Sequence, residues 1–593
     1  MCGIHLIVQK SGDLEQGNPA IERMISSVTH RGPDGSSFVR LNWDEDQIWI
    51  GHNLLAISSE KESSSQPMVS PSGTFGISFN GQIYNHLDLR NELESEGIEF
   101  STQTDTETLL YWIKKYGRKG LRKLKGMYAF VFWDSEKQLL IIHRDPFGIK
   151  PLFFARNRNS LAMCSEPAGL FASDLFKFSV NQAAVTSYLQ FKFIPDGVSP
   201  WHGIKSLQPG EVIEYWEGKP MHFKIQRDAS NFSDKGLKEV IHHSFNEIIP
   251  THLPVGLMLS GGIDSSLILC HCVENRIPVI PFSIRFSFGG KEDLADQEAV
   301  EYLGRLFNIP IQWVDVSLED MEAVFAHPLS IGPLLADGAW FLTSRISERA
   351  RQLGIKVLLS GAGADEWFAG YRRHWYFYQW LRFQGFIPDS LKRHLLRILG
   401  AGKPIFREGR KAEPAQLWEF AVSTQLSSGL KHKPNGLNPL IKNLNDLEKG
   451  LMWDQNQYLI NDILSLTDMA TMAHGIEGRF PFLHPDITEF ASQFTANERI
   501  EKGRKWMLKE LLESKVGSKF VNRKKRGFGL PLPYFLASEK GKKWVESAVS
   551  NPFVESYFKP ESWKEIQKGV KSEPEKWAQE ILTLNILNSW LKD

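Results

Sequence analysis

The chain is poor in cysteine: Cys2, Cys164, Cys270 and Cys272 are all it has in 593 residues. Four thiols so unevenly spaced exclude a disulfide framework and a four-ligand zinc site, and fit a reducing, cytoplasmic compartment. An excess of either charge is also missing. Lys plus Arg and Asp plus Glu number 69 each, so no global field draws the protein to nucleic acid. No apolar run reaches the roughly 18 residues of a membrane span, and the first residues hold neither a basic cluster nor a cleavable apolar stretch. Neither a span nor a signal peptide is expected. Internal repeats are lacking, and the one low-complexity tract, Ser63-Ser64-Ser65, reads as a solvated loop. The length exceeds the roughly 250 to 300 residues one core supports, so two large domains are expected.

What is present centres on Ser260-Gly261-Gly262-Ile263-Asp264-Ser265-Ser266, which follows the apolar run Val255–Leu259 and precedes the apolar segment Leu267–Val273. A short buried strand, a small-residue turn and a helix aim free backbone N–H groups at the helix start, where they cradle phosphate. The Gly-Lys-Ser/Thr ending of a Walker A loop is absent, and Asp264 stands where a carboxylate holds magnesium on phosphates. A second turn of this kind, Ser360-Gly361-Ala362-Gly363-Ala364-Asp365-Glu366, follows the strand-like Lys356–Leu359. Asp264 and Asp365 together form a plausible magnesium-pyrophosphate clamp. Strand and helix patterns alternate between the two turns, through Pro278–Phe286, 293–307 and Ile311–Val316, which argues for a doubly wound parallel sheet with ligands at its strand ends. In Cys270-His271-Cys272, residues two apart on a helix point to different faces, so helix packing is the expectation rather than a metal. The aromatic stretch Trp367–Phe386 reads as core at helical spacing or as a wall for a bulky acceptor.

At the other end, Cys2 would become the first residue once Met1 is removed, carrying both a thiol nucleophile and an α-amine base. It is joined by His30-Arg31-Gly32-Pro33-Asp34, Asn80-Gly81-Gln82-Ile83-Tyr84-Asn85 and Arg144-Asp145-Pro146-Phe147-Gly148-Ile149-Lys150-Pro151-Leu152. This set resembles the glutaminase domain of class II, N-terminal-nucleophile amidotransferases, an αββα sandwich, over roughly residues 1–212. The resemblance implies that Cys2 attacks the glutamine amide, with the oxyanion held by the Asn80 side-chain amide and the Gly81 N–H. It places Asp105 and Gln82 at the glutamine α-ammonium, Gln82 standing where the family has glutamate. Leu54, in Gly51-His52-Asn53-Leu54-Leu55, stands where the family pairs an arginine with the α-carboxylate.

The second half adds Ala473-His474-Gly475-Ile476-Glu477-Gly478-Arg479-Phe480-Pro481-Phe482-Leu483 and Arg523-Lys524-Lys525-Arg526-Gly527-Phe528-Gly529. Over about residues 235–540 it resembles the synthetase domain of class B asparagine synthetases, built on the ATP-pyrophosphatase fold. The implied architecture is α/β and α+β: an αββα Ntn-hydrolase sandwich (1–215), a connector (216–234), and a doubly wound parallel domain with a helical C-terminal region (235–593). The resemblance implies ATP and Mg2+, with Leu259, Ser260, Gly261, Gly262, Asp264, Ser265 and Ser266 on pyrophosphate, Ser283 and Ile284 at adenine, and Ser360 and Gly361 completing the nucleotide site. Asp264 and Asp365 take the metal, and Lys525 takes the α-phosphate and adenylate. The expected partners are glutamine, ATP and aspartate or another carboxylate, with no nucleic acid; a homodimer is compatible with the family. Ala362 replaces the family's glutamate near the attacking ammonia, and Leu466-Thr467-Asp468-Met469 lacks two of its cations. The expected activity is glutamine-hydrolysing asparagine synthesis. The alternatives are amidation of another carboxylate such as a glycan uronic acid, an ammonia-independent intramolecular amide former, which Cys2 argues against, and a catalytically silent binding homologue.

Overall fold

A computed structural model describes residues 2–10, 17–43, 46–57, 65–216, 219–225, 236–288, 290–325, 332–383, 418–419, 421–432, 445–523 and 529–591. The first half is built on two six-stranded antiparallel sheets. One comprises β1 (Gly3–Lys10), β2 (Gly35–Trp43), β3 (Asp46–Leu54), β8 (Phe153–Arg156), β9 (Ser160–Cys164) and β12 (Ile204–Ser206), in the order β12-β8-β9-β1-β3-β2. The other runs β14-β13-β7-β6-β5-β4 and comprises β4 (Met68–Val69), β5 (Phe75–Ile83), β6 (Gly126–Asp134), β7 (Leu139–Arg144), β13 (Glu211–Trp216) and β14 (Lys219–Lys224). A small ribbon pairs β10 (Ser179–Val180) with β11 (Trp201–His202), with α5 (Gln182–Phe191) between them in the chain.

The four layers follow from where the apolar side chains go. Ile4, Leu6, Val8, Ile48 and Ile50 meet Ala129, Val131, Leu140 and Ile142 between the sheets. The outer face of the first sheet is buried by α1 (Gly17–Ser27) and α4 (Pro167–Ala172), through Ile21, Met24 and Leu170. The second sheet is covered by α2 (His86–Ser95) and α3 (Asp105–Gly120), through Leu89, Leu109 and Trp112. Both faces of both sheets are therefore dry, and the inner strands read as continuous apolar runs rather than alternating ones. The second sheet continues through β14 to Lys224, into the stretch read from sequence as connector. Its residues, Lys-Pro-Met-His-Phe-Lys, form a polar edge strand with little buried side chain, which is why hydrophobic periodicity does not reveal it.

The second half is organised on five parallel strands in the order β17-β16-β15-β18-β19: β15 (Val255–Met258), β16 (Val279–Phe286), β17 (Gln312–Val316), β18 (Val357–Leu359) and β19 (Glu477–Arg479). Beside them lie α6 (Leu237–Ile248), α7 (Ile263–Glu274), α8 (Lys291–Leu306) and α9 (Ala339–Gln352). Strand order reverses between β15 and β18, the switch point at which doubly wound sheets open a ligand crevice. Helices dominate beyond β19, closing with Ala578–Trp590, whose Ile581, Leu582, Leu584, Ile586 and Leu587 are buried. Among the described residues no helix is long and apolar enough to cross a membrane.

The two halves are held by buried charge. Arg31 donates from Nη1 to Asp468 Oδ2 at 2.8 Å and from Nη2 to Asp468 Oδ1 at 3.2 Å, and also from Nη1 to Glu166 at 2.7 Å. Lys125 pairs with Asp486 at 2.9 Å and Lys356 with Asp34 at 3.3 Å, while Tyr84 stacks on His484 at 5.4 Å. Burial would raise the Glu166 carboxyl, but His30 and Arg31 outweigh it and lower it to about 2. Its folded value lies below the unfolded one, so the stability it adds is full above the ordinary 4.5 and fades as pH falls towards about 2. Arg31→Ala leaves the buried Asp468 and the half-buried Glu166 without their shared cation and is expected to cost about 3 to 5 kcal/mol. Thermal unfolding of both proteins from pH 2 to 6 checks this. The variant should melt well below the parent at neutral pH, and the gap should narrow in acid.

Candidate active site

Two sites form, one in each half. Cys2 stands just ahead of β1, almost fully buried, and its backbone N–H donates to Asn80 Oδ1 at 2.8 Å. Arg31 Nε donates to the Cys2 carbonyl at 3.3 Å, so the interdomain cation also fixes the backbone of the thiol. Burial pushes the thiol up from its ordinary range, opposed by a backbone hydrogen bond from Leu55 and by Arg31. Asn80 and Gly81 lie on β5 opposite Ala129 and Tyr128 of β6. With its Oδ1 spent on Cys2, Asn80 presents Nδ2, which is buried and has no hydrogen-bond partner among the described residues. Gly81 has φ +149°, and a Cβ there would come 2.0 Å from the Met127 carbonyl oxygen, so only glycine fits.

Asp105 opens α3 and accepts from the Ile83 N–H at 3.0 Å; burial raises its carboxyl, with His86 acting against that. Gln82 is half-buried next to Gly81, with Oε1 lacking a partner among the described residues. Leu54 closes β3, half-buried and apolar. The structure thus brings Cys2, Asn80 and Gly81 together through strand pairing and one direct hydrogen bond, and ties Asp105 to the Ile83 end of that strand.

The second site is the crevice between β15 and β18. Ser260 N–H donates to Ser265 Oγ at 3.3 Å and Ser266 Oγ donates to the Gly262 carbonyl at 2.7 Å, which curls the loop onto the start of α7. Gly261 takes the left-handed φ of +67°. Leu259 is buried below it, with its N–H donating to the Phe282 carbonyl. Across the crevice, Ser360 N–H donates to the Arg479 carbonyl at 2.9 Å. Gly361 comes so close to the first loop that a Cβ would lie 2.8 Å from Asp264 Cβ. Ser283 is buried and Ile284 half-buried on the neighbouring β16.

Asp264 Oδ2 and Asp365 Oδ1 converge on one cation, the Lys505 ammonium, at 2.5 Å and 2.8 Å. Burial opposes that charge, but the two carboxylates hold it well above the ordinary lysine range. Hard oxygen donors from two loops meeting on a single cation fit magnesium, which is commonly held by one or two carboxylates together with phosphate oxygens and water. Lys525 lies outside the described residues. Arg523, at the described end of its motif, donates to the Gly261 carbonyl and pairs with Asp296 at 3.0 Å, so this one arginine reaches the Ser260–Ser266 loop.

Residues 1–224 match the glutamine amidotransferase domain family, and residues 236–592 match the asparagine synthase family. The chain belongs to the asparagine synthase family. It is 30% identical over 602 residues to asparagine synthetase [glutamine-hydrolyzing] 1 of Bacillus subtilis (strain 168), covering 94% of this chain and 91% of that one. A putative asparagine synthetase [glutamine-hydrolyzing] of Mycobacterium tuberculosis (strain H37Rv) is 26% identical, covering 90% and 87%. Asparagine synthetase [glutamine-hydrolyzing] 3 of B. subtilis is 25% identical, covering 88% and 86%. The family uses ATP, and this chain carries its ligase and amidotransferase halves in one polypeptide.

Several members of the site are not evident in sequence. Lys505 is one; its only signal is Gly503-Arg504-Lys505 ahead of the helix Trp506–Val516, and it adopts φ +54° to turn into the crevice. Glu366 is another, buried beside Asp365, with Oε1 accepting from Tyr371 OH at 2.6 Å. Lys192, also unmarked in the sequence, pairs with Asp337 at 2.9 Å and Asp462 at 3.6 Å, carrying a cation from the first half onto the second. Of the aromatic stretch, His374, Phe377 and Trp380 point into a core with Trp418 and Leu447, Tyr376 and Phe383 are exposed, and Phe386 lies outside the described residues. Cys270 and Cys272 are buried in α7 among aliphatic side chains, and His271 hydrogen-bonds Asn246.

Gly361→Val drives a side chain into Asp264 and parts the two loops. Magnesium-ATP should raise the melting temperature of the parent and leave that of the variant nearly unmoved, as differential scanning fluorimetry would record.

Proposed function

We propose that the chain hydrolyses glutamine at Cys2 and uses the ammonia to amidate a carboxylate adenylated in the β15–β18 crevice, with aspartate as the leading acceptor. The observation that carries this is the convergence of Asp264 and Asp365 on one cation at the strand switch point, in a chain that also sets Cys2 against Asn80. In this reading Met1 is removed, and the Cys2 thiol gives its proton to its own α-amine as sulfur attacks the amide carbon. The Asn80 side-chain amide and the Gly81 N–H hold the oxyanion, which is where preorganised donors contribute most. Ammonia leaves with the returned proton, and water then cleaves the thioester. Asp105 and Gln82 hold the donor's α-ammonium, while Leu54 gives its α-carboxylate no ion pair.

In the second half the loop from Leu259 and Ser260 through Gly261, Gly262, Ser265 and Ser266 holds pyrophosphate. Ser283 and Ile284 bound the adenine, with Ser360 and Gly361 closing the site. Asp264 and Asp365 would hold magnesium, which when bound supplies charge neutralisation on the β- and γ-phosphates. Lys505 then turns from the carboxylates towards the phosphate, a point charge for the bond being broken, and Lys525 serves the α-phosphate from the basic segment. An acceptor carboxylate oxygen attacks the α-phosphorus and pyrophosphate leaves. Ammonia attacks the acyl carbon, and AMP departs with the old carboxylate oxygen.

One observation favours another acceptor. Ala362, where the family has glutamate, is packed in an apolar cluster with Tyr84, Phe147, Ile149, Trp367 and Phe480, so that side of the crevice offers surface rather than charge. This suits a bulkier carboxylate such as a glycan uronic acid. Magnesium-ATP, ammonium chloride and aspartate should yield pyrophosphate and asparagine together; pyrophosphate only with a uronic acid would move the acceptor, and none with either would leave a silent binding homologue. Cys2→Ala should abolish glutamine-driven synthesis while sparing the ammonium-driven reaction. Leu54→Arg should lower the glutamine KM, and an unchanged KM would count against the assignment of that position.

A further inference from the structure

One polar cluster of the second half belongs to neither site. His243 and Glu247 stand one turn apart on α6, so both project from the same side of that helix, and Asp486 enters from the first turn of the helix Pro485–Ser492. His243 Nε2 lies 3.5 Å from Glu247 Oε1 and 4.0 Å from Asp486 Oδ2, and one donor atom from each residue falls within 4.8 Å of the other two. Around a tetrahedral zinc with bonds of about 2.0 to 2.2 Å, such atoms stand roughly 3.3 Å apart, so modest side-chain rotations close this set on one ion.

The surroundings orient the carboxylates for that. His484, fully buried, accepts the Asp486 N–H at Nδ1 at 3.2 Å, which puts its proton on Nε2, and Nε2 donates to Glu247 Oε2 at 2.7 Å. One oxygen of Glu247 is thereby fixed and the other is left towards His243, the outer hydrogen bond that metal-ligating carboxylates carry. Tyr84 stacks on the His484 ring and holds it in place. Asp486 is fully buried, and its Oδ2 takes the Lys125 ammonium at 2.9 Å from the first half. The cluster already draws a cation. Its open side is that of His243, whose side chain is 44% exposed.

We propose that His243, Glu247 and Asp486 bind a divalent transition metal, zinc by preference, with water in the fourth position on the exposed side and Lys125 displaced from Asp486. The imidazole separates this site from the crevice: Asp264 and Asp365 offer oxygen alone and suit magnesium, whereas a nitrogen with two carboxylates suits zinc. The exchange of ammonium for metal ties α6 to the helix Pro485–Ser492 and releases one of the ion pairs that join the halves.

The full-length protein, stripped with a chelator, is titrated with zinc sulfate against a chromophoric zinc chelator, with magnesium chloride in excess to fill the crevice. The parent should take up one zinc, and His243→Ala and Glu247→Gln should each weaken its binding about a hundredfold, at least the cost of losing an outer partner. Without metal His243→Ala should melt close to the parent, because the ring is partly exposed; with zinc only the parent should rise. Lys125→Met should bind zinc about tenfold more tightly, since its ammonium no longer competes for Asp486. Cobalt(II) in place of zinc should give a visible spectrum without a thiolate charge-transfer band. Zinc uptake equal in the parent, His243→Ala and Glu247→Gln, no uptake by the parent, or a thiolate band that Cys2→Ala removes would each overturn the proposal and leave the cluster an ion-pair network.

Discussion

A guanidinium with no exposure to water, shared by a carboxylate from each half of the chain, is the interaction on which the arrangement of the two sites depends. Arg31 sets the glutaminase backbone at Cys2, holds Glu166 within its own domain and reaches Asp468 across the junction. Such a group is expensive to bury, and its return is specificity of position more than net stability. The placement of the halves that satisfies both carboxylates brings Tyr84, just past β5, against His484 and the Ile149 loop against Ala362.

The crevice in the second half obeys a different constraint, that of two loops at a strand switch point forced almost into contact. Gly361 permits the approach and Asp264 and Asp365 use it, since carboxylates from separate loops bind one cation only if the backbones beneath them close to within a few ångströms. With Lys505 in that position the like charges are neutralised. The loops are thereby preorganised for a cation before a nucleotide arrives, which lowers the ordering cost of binding.

Legibility in the sequence follows the range of the contact. Cys2, Asn80-Gly81 and the Ser260–Ser266 loop are each marked by a few adjacent residues, so the strands and turns that hold them were legible locally. The parallel sheet followed from the alternation of strand and helix patterns, whereas the layered sandwich was implied only by the resemblance that Cys2, Asn80-Gly81 and Arg144–Leu152 carry. Lys505 could not be read that way, because it lies 241 residues from Asp264 and looks like an ordinary lysine before a helix. Arg31 sits in a recognisable motif, yet its carboxylate Asp468 is 437 residues away. The strand Lys219–Lys224 was hidden by its polar edge position, and Lys192 by a left-handed backbone that turns a helix-end lysine inward. Lys525, read from its basic run, belongs to a segment outside the described residues, and Lys505 holds the crevice cation position among those that are described.

The central claim is that a carboxylate is activated as its adenylate in the β15–β18 crevice. The most direct test is to supply aspartate labelled with oxygen-18 in its side-chain carboxylate, with magnesium-ATP and ammonium chloride, and to weigh the AMP formed. Transfer of one labelled oxygen to AMP, with asparagine as co-product, is the result this account predicts. Unlabelled AMP, or ADP and phosphate in its place, would contradict it.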